Sequence, residues 1–158
     1  LPQIMQEWAT APASLITNVP SEVVGWMTNP STLLNTVTGS WCNLLRVRKA
    51  GVLSRHIHPS WVTGYVIKGA WRYLEHDWVA NAGSFVYEPP GEIHTLVVDE
   101  VVGEPEMITQ FNIHGAMIYL DDKGQTTGYE DVFTKIEMCR KHYTEVGLGT
   151  DYIDQFIR

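Results

Sequence analysis

Cysteine is nearly missing from this chain. Cys42 and Cys139 are its two cysteines, far apart in sequence and outside any C-x-x-C pattern, so a disulfide framework is excluded and a reducing cytoplasm is the expected compartment. Neither is flanked by a plausible base, so thiolate catalysis is not expected. Long apolar runs are also missing: none approaches the ~20 residues needed to span a bilayer, and no membrane association is expected. The opening "LPQIMQEWATAPAS" has neither a basic start nor an apolar stretch, so no signal peptide is read. Positive charge is scarce, with 11 Lys+Arg against 18 Asp+Glu and a net charge of −7. A phosphate backbone would be repelled on average, and nucleic acid is not an expected partner. The densest basic cluster, "RVRK" at 46–49, alternates with Leu45 and Val47 and reads as a solvated strand face. Internal repeats and low-complexity segments are absent.

What is present is apolar and aromatic. Of 158 residues, 44% are hydrophobic, including 6 Trp, 7 Tyr and 4 Phe. That suffices for one well-filled core and not comfortably for two, so residues 1–158 are expected to form a single domain. Residues 1–31 are broken by Pro2, Pro12, Pro20 and Pro30 and read as an irregular N-terminal arm. Within it, "SEVVGWMTNP" could hold a helical turn or two, capped by Ser21 and ended before Pro30. From 32 to 121 the texture changes to short β-rich runs (32–37, 41–48, 64–67, 70–75, 84–87, 95–98, 107–113 and 116–120) separated by Gly, Pro, Asn and Asp. Frequent turn signals between such runs predict an all-β sandwich or barrel. The period then switches. In 129–147, Val132, Phe133, Ile136, Cys139, Tyr143 and Val146 recur at helical spacing, with Glu130 and Asp131 placed in the first turn and Gly147 after the last. This is an amphipathic C-terminal helix, and "TDYIDQFIR" can add a short final one.

The chemistry concentrates in two segments. "GVLSRHIHPSWVTGYVIKG", 51–69, holds His56 and His58 at i, i+2. On an extended strand both project to one face with backbones about 6–7 Å apart, close enough to converge on one ion. By itself such a pair is a weak signal. "GSFVYEPPGEIH", 83–94, reads as turn glycine, strand, then a rigid Pro-Pro-Gly corner that delivers His94. Pro89 and Pro90 fix φ and Gly91 permits the bend.

Together the two segments resemble the paired motifs of the cupin superfamily. Gly51, His56, His58 and Gly69 match the first motif, with one residue fewer between Gly51 and His56; Gly83, Pro89, Gly91 and His94 match the second with its spacing intact. The resemblance implies a double-stranded β-helix, or jelly-roll barrel, in which His56, His58 and His94 bind a metal. Two departures are informative. The glutamate of the first motif falls on Val62, beside Thr63, and the closing asparagine of the second falls on Val98. The site therefore resembles the three-histidine subset. Three neutral imidazoles leave the charge of a divalent ion uncompensated and leave positions open for an anionic, bidentate oxygen ligand. Nitrogen-rich ligation suits Fe, Zn, Cu or Ni better than Mg or Ca, and redox chemistry selects iron.

Within the superfamily, "YEPPGEIHTL" and the aromatic stretch Trp71-Arg72-Tyr73 make the chain similar to the anti-sigma-factor-type cupins, and most like the 2,4′-dihydroxyacetophenone dioxygenase family, itself similar to acetylacetone-cleaving dioxygenases. This implies one non-haem iron per subunit and cleavage of the C–C bond of an aromatic α-hydroxyketone by dioxygen. Zinc, held without turnover in a sensor module, is the alternative implied by the anti-sigma relatives; a metal-assisted isomerase or lyase on the same barrel is another. Glu88, just before the proline corner, is a candidate base for enolate formation or a carboxylate supporting the metal site; the plainer reading is a rim residue that caps a turn or meets Arg55. Trp61, Trp71, Tyr73 and Tyr87 are candidates for the substrate wall, with barrel core or subunit interface as the plainer reading. Tyr87 and Glu88 must face opposite sides of a regular strand. His76 and His142 read as surface histidines and His114 as structural. A homo-oligomer is expected, because jelly-roll domains often associate through strands or terminal helices.

Overall fold

The computed structural model describes residues 34–48, 50–99 and 106–158, together with the main chain of a strand at Val23–Trp26. Its strands in chain order are β1 (Val23–Trp26), β2 (Leu34–Asn35), β3 (Ser40–Val47), β4 (Gly51–Ile57), β5 (Val62–Lys68), β6 (Ala70–Tyr73), β7 (Ala80–Asn81), β8 (Phe85–Glu88), β9 (Ile93–Val98), β10 (Met107–His114), β11 (Ala116–Leu120) and β12 (Thr126–Asp131). One sheet runs β1-β3-β10-β5-β8, with β2 also on β3; the other runs β12-β11-β4-β9-β6-β7. All pairings between these strands are antiparallel, which gives the two-sheet jelly roll expected from the strand spacing.

Apolar side chains from both sheets fill the space between them. Trp41, Leu45, Val47, Val62, Val66, Met107, Phe111 and Ile113 come from the first sheet, and Trp71, Tyr73, Leu96 and Val98 from the second. These residues of β3, β5 and β10 share one parity along their strands, as a common face requires, while Leu44, Ile108 and Ile67, of the other parity, form a second small cluster. Helix α1 (Val132–Glu145) packs Val132, Ile136 and Tyr143 against the barrel, and a 3₁₀ helix at Thr150–Phe156 adds Ile153 to the core.

Four local readings need correcting. Val23–Trp26 is a strand paired with β3 from Val47 to Leu44, not a helical turn; two adjacent valines fit a pleated strand better than a helix. The rest of the 1–31 arm and the start of the 32–37 run lie outside the described residues. The helix begins at Val132, because 126–131 continues the sheet as β12 against β11. Asp131 is the cap of α1, not part of its first turn: its carboxylate accepts from the Thr134 amide, and the Thr134 hydroxyl faces the Asp131 amide. Arg46 is buried and pairs with Glu106 at 2.6 Å, so this arginine of "RVRK" is not solvated. Residues 51–57, His56 included, form the strand β4, as the extended reading of the His-x-His segment expects, although this stretch is not among the eight β-rich runs.

Candidate metal centre

Strands β4 and β9 are neighbours in register, and that register sets His56 directly opposite His94. His58 lies one residue beyond the end of β4, two positions from His56 and on the same side. The proline corner does what its sequence suggests: Gly91 adopts φ +84°, its amide donates to the His58 carbonyl at 2.8 Å, and β9 then starts at Ile93. The three imidazoles are buried, and their ligand atoms all lie within 4.8 Å of one another. Ring centroids are 4.6 Å apart for His56–His94, 4.9 Å for His56–His58 and 5.5 Å for His58–His94.

Hydrogen bonding fixes which nitrogens face the centre. His58 Nδ1 lies 3.1 Å from the Ala116 carbonyl oxygen, which can only accept, so Nδ1 carries the proton and Nε2 keeps its lone pair. His56 Nδ1 faces the Ser54 carbonyl at 3.4 Å and its hydroxyl at 3.3 Å, with the same consequence. His94 Nε2 then stands 3.1 Å from His56 Nε2. His94 Nδ1 is buried with no protein partner among the described residues. Burial holds all three imidazoles neutral: the pKa of His58 is lowered to about 4, that of His94 to about 3, and His56 well below its usual range, each by desolvation first and then, for His56 and His94, by neighbouring histidines. Lone pairs converging in a desolvated spot are the donor set a transition-metal cation requires.

Glu88 adjoins this group. It ends β8, directly across from Val62 of β5, and is buried. Its Oε2 lies 3.5 Å from His94 Nε2 and 3.6 Å from His58 Nε2, with no hydrogen-bond partner among the described residues. Its Oε1 accepts a hydrogen bond from the Tyr73 hydroxyl at 2.6 Å. Burial raises the carboxyl pKa to about 7, against the lowering effect of that hydrogen bond. Glu88 thus meets Tyr73, not Arg55.

The aromatic candidates separate. Tyr73 is buried, donates to Glu88 and stacks on His94 with centroids 4.0 Å apart and planes 11° apart. Trp71 is buried in the core among Tyr73, Trp78 and Phe111. Trp61 is partly exposed just before β5 and lies against His114, centroids 3.8 Å apart. Tyr87 is on the outer face of β8 and 58% exposed, pointing away from the histidines, as its alternation with Glu88 demands. His76 is half-buried, 2.7 Å from Glu92 and stacked on Trp78, so it is not a free surface group. His142 is likewise half-buried. One role and one neighbour of the centre escaped the sequence. The role of Tyr73 as the donor to Glu88 depends on a contact across the barrel. Tyr119 of β11, opposite His56 with ring centroids 6.4 Å apart, depends on strand register.

Comparison with known proteins points the same way as the geometry. Residues 19–117 match the model of a family described as the ChrR cupin-like domain. No curated protein matches the sequence. An RmlC-like cupin protein from Ralstonia eutropha is 32% identical, with 78% of this chain and 74% of that one covered and a TM-score of 0.68. The acetylacetone dioxygenase of Acinetobacter johnsonii shares 14% identity over 86% of this chain and 89% of its own, with a TM-score of 0.65. The Rhodobacter sphaeroides complex of SigE with the anti-sigma ChrR matches at 16% identity and a TM-score of 0.50, covering 62% of this chain and 47% of that one. These last two show the likeness of fold alone.

Proposed function

Because this chain belongs to the ChrR cupin-like family and buries three neutral, converging imidazoles beside an unpartnered carboxylate oxygen, we propose that it is a non-haem iron dioxygenase acting on a small aromatic α-hydroxyketone. The observation that carries this reading is the donor set. His56, His58 and His94 offer three lone pairs and no charge, so a divalent ion held by their ring nitrogens keeps its positive charge and its remaining positions for an anionic oxygen ligand. Bound there, iron supplies positive charge for an enolate oxygen and the redox capacity that reaction with dioxygen needs.

The chain's own residues supply the rest. Glu88 Oε2 points to the side of the centre shared by His58 and His94 and has no competing donor, so it is placed to take a proton from a substrate hydroxyl or from the carbon next to the carbonyl. Tyr73 fixes the other oxygen, which holds the carboxylate in one orientation, and its ring covers one face of His94. Trp61, against His114, gives an aromatic surface suited to the substrate ring. With 2,4′-dihydroxyacetophenone the balanced outcome is 4-hydroxybenzoate and formate, with both atoms of dioxygen retained in the two products.

Anaerobic purification, metal analysis and oxygen uptake on hydroxyacetophenones test the proposal. The expected result is iron with one dioxygen consumed per C–C bond cleaved. Membership of the ChrR cupin-like family, together with the likeness to the anti-sigma ChrR, favours a second reading, a metal-binding regulatory module that holds zinc without turnover; zinc with no oxygen uptake supports it. Turnover without oxygen uptake supports an isomerase or lyase. Among the described residues no helix is long and apolar enough to cross a membrane.

A further inference from the structure

Strand β8 is the outermost strand of its sheet, with β5 on one side and no strand on the other among the described residues. Pairing with β5 sets which peptide groups are used. The Val66 amide donates to the Ser84 carbonyl, and the register places Gly64 opposite Val86 and Val62 opposite Glu88. These are the hydrogen-bonded pairs of the ladder, so the N–H and C=O of Phe85 and Tyr87 point away from β5. No hydrogen bond to those groups is made among the described residues. The side chains of the same two residues lie on the outer face, 69% and 58% exposed, beside Tyr65 at 49%. An edge strand that offers both free peptide groups and exposed aromatics is a template for another strand.

We propose that this edge is a homodimer seam, in which β8 pairs antiparallel with β8 of a second copy about a two-fold axis at Val86. The four-residue strand is self-complementary in that register. Phe85 falls opposite Tyr87 of the other copy and Tyr87 opposite its Phe85. Both pairs use the outward-pointing peptide groups, so four main-chain hydrogen bonds form, and each pair brings two aromatic rings together on the outer face. Val86 meets its own counterpart at the non-hydrogen-bonded position. Pro89 and Pro90 end the strand and limit the pairing to this stretch. The electrostatics permit it: the chain carries a net charge of −7, yet the outward residues along the seam, Thr63, Tyr65, Phe85 and Tyr87, carry none.

Area sets the strength. Three aromatics about half to two-thirds exposed offer roughly 300–400 Å² per copy, or about 700 Å² in total. That falls below the ~1,200 Å² of stable complexes, so a weak, concentration-dependent dimer is expected. Sedimentation of the full chain from about 1 to 500 μM reads it independently of metal content or turnover. The wild type is expected to pass from the mass of one chain to that of two. The double variant F85K/Y87K puts lysine opposite lysine at both pairs and is expected to weaken association at least about 10-fold. The variant F85K/Y87E puts lysine opposite glutamate at both pairs and is expected to restore a dimer that weakens as salt rises. All four side chains introduced are on an exposed face, and circular dichroism checks that the barrel is intact. A wild type that keeps the mass of one chain throughout overturns the proposal, as does an F85K/Y87K variant that dimerises like wild type. Failure of F85K/Y87E to dimerise overturns the register.

Discussion

Glu88 stands directly across the β5–β8 ladder from Val62, the position where the cupin pattern places its glutamate. Partners directly opposite in an antiparallel pair project to the same face, so the carboxylate missing from β5 reaches the centre from the adjacent strand. Its Oε2 is nevertheless beside the imidazole group, 3.5 and 3.6 Å from two of its nitrogens, and its other oxygen is committed to Tyr73. On the proposed role of Glu88 as a base beside a metal held by these histidines, its removal has a clear signature. Glu88→Gln keeps the size and can still accept from Tyr73. It is expected to retain full metal content while kcat falls by about 10²–10⁴. Loss of metal in that variant would identify Glu88 as a ligand instead.

Tyr73→Phe separates stacking from hydrogen bonding. The ring remains against His94, while the buried Oε1 of Glu88 loses its donor. Leaving such a group unpartnered costs about 1–3 kcal/mol, read as a lower urea midpoint with an unchanged slope. If the hydroxyl aims Glu88 at substrate, kcat should fall with KM and metal content unchanged. A purely structural hydroxyl would lower stability alone.

Metal removal should be visible in stability. The donor set preexists in the fold, so an ion bound to the native state alone at about 100 times its Kd adds about 2.7 kcal/mol. For a domain of this size that is a rise in Tm of about 5–10 °C, reversed by a chelator. His94→Ala or His58→Ala should show little of the rise and bind the ion at least about 100-fold more weakly.

How far the sequence reached depended on what is local. The His-x-His pair and the Pro-Pro-Gly corner carry their geometry within a few residues, so the convergence of His56, His58 and His94 was legible. So was the opposition of Tyr87 and Glu88, which follows from strand alternation alone. Contacts set by register were not. That Glu88 meets Tyr73, and that Tyr119 lies opposite His56, depends on which strands neighbour which, and no short window encodes that. The start of α1 is not legible locally, because Tyr129 to Asp131 satisfies the helical pattern and the strand pairing equally, and β11 decides between them. β1 differs from the helical expectation because the cap-like serine and following proline are local signals, whereas its pairing partner β3 is distant in sequence.

Two of the motif glycines, Gly69 and Gly91, offer a last prediction, because both have positive φ but unequal surroundings. Gly69 turns from β5 into β6 at φ +71°, and a Cβ there would stand 2.5 Å from the Glu106 carbonyl oxygen and 3.0 Å from Met107 Cα. Those are main-chain atoms at the start of β10, which is paired with β3 on one side and β5 on the other and cannot easily give way. Gly91 has a similar φ of +84° but nothing within 4 Å of the added carbon. Gly91→Ala should therefore lose only the left-handed backbone penalty, about 1–2 kcal/mol. Gly69→Ala adds a collision to the same penalty and should lose about 3 kcal/mol or more. Urea midpoints for the two variants, measured side by side, check the order. Equal losses would mean that the start of β10 yields to the methyl group, and that the close approach of Gly69 to Glu106 is not a fixed feature of the barrel.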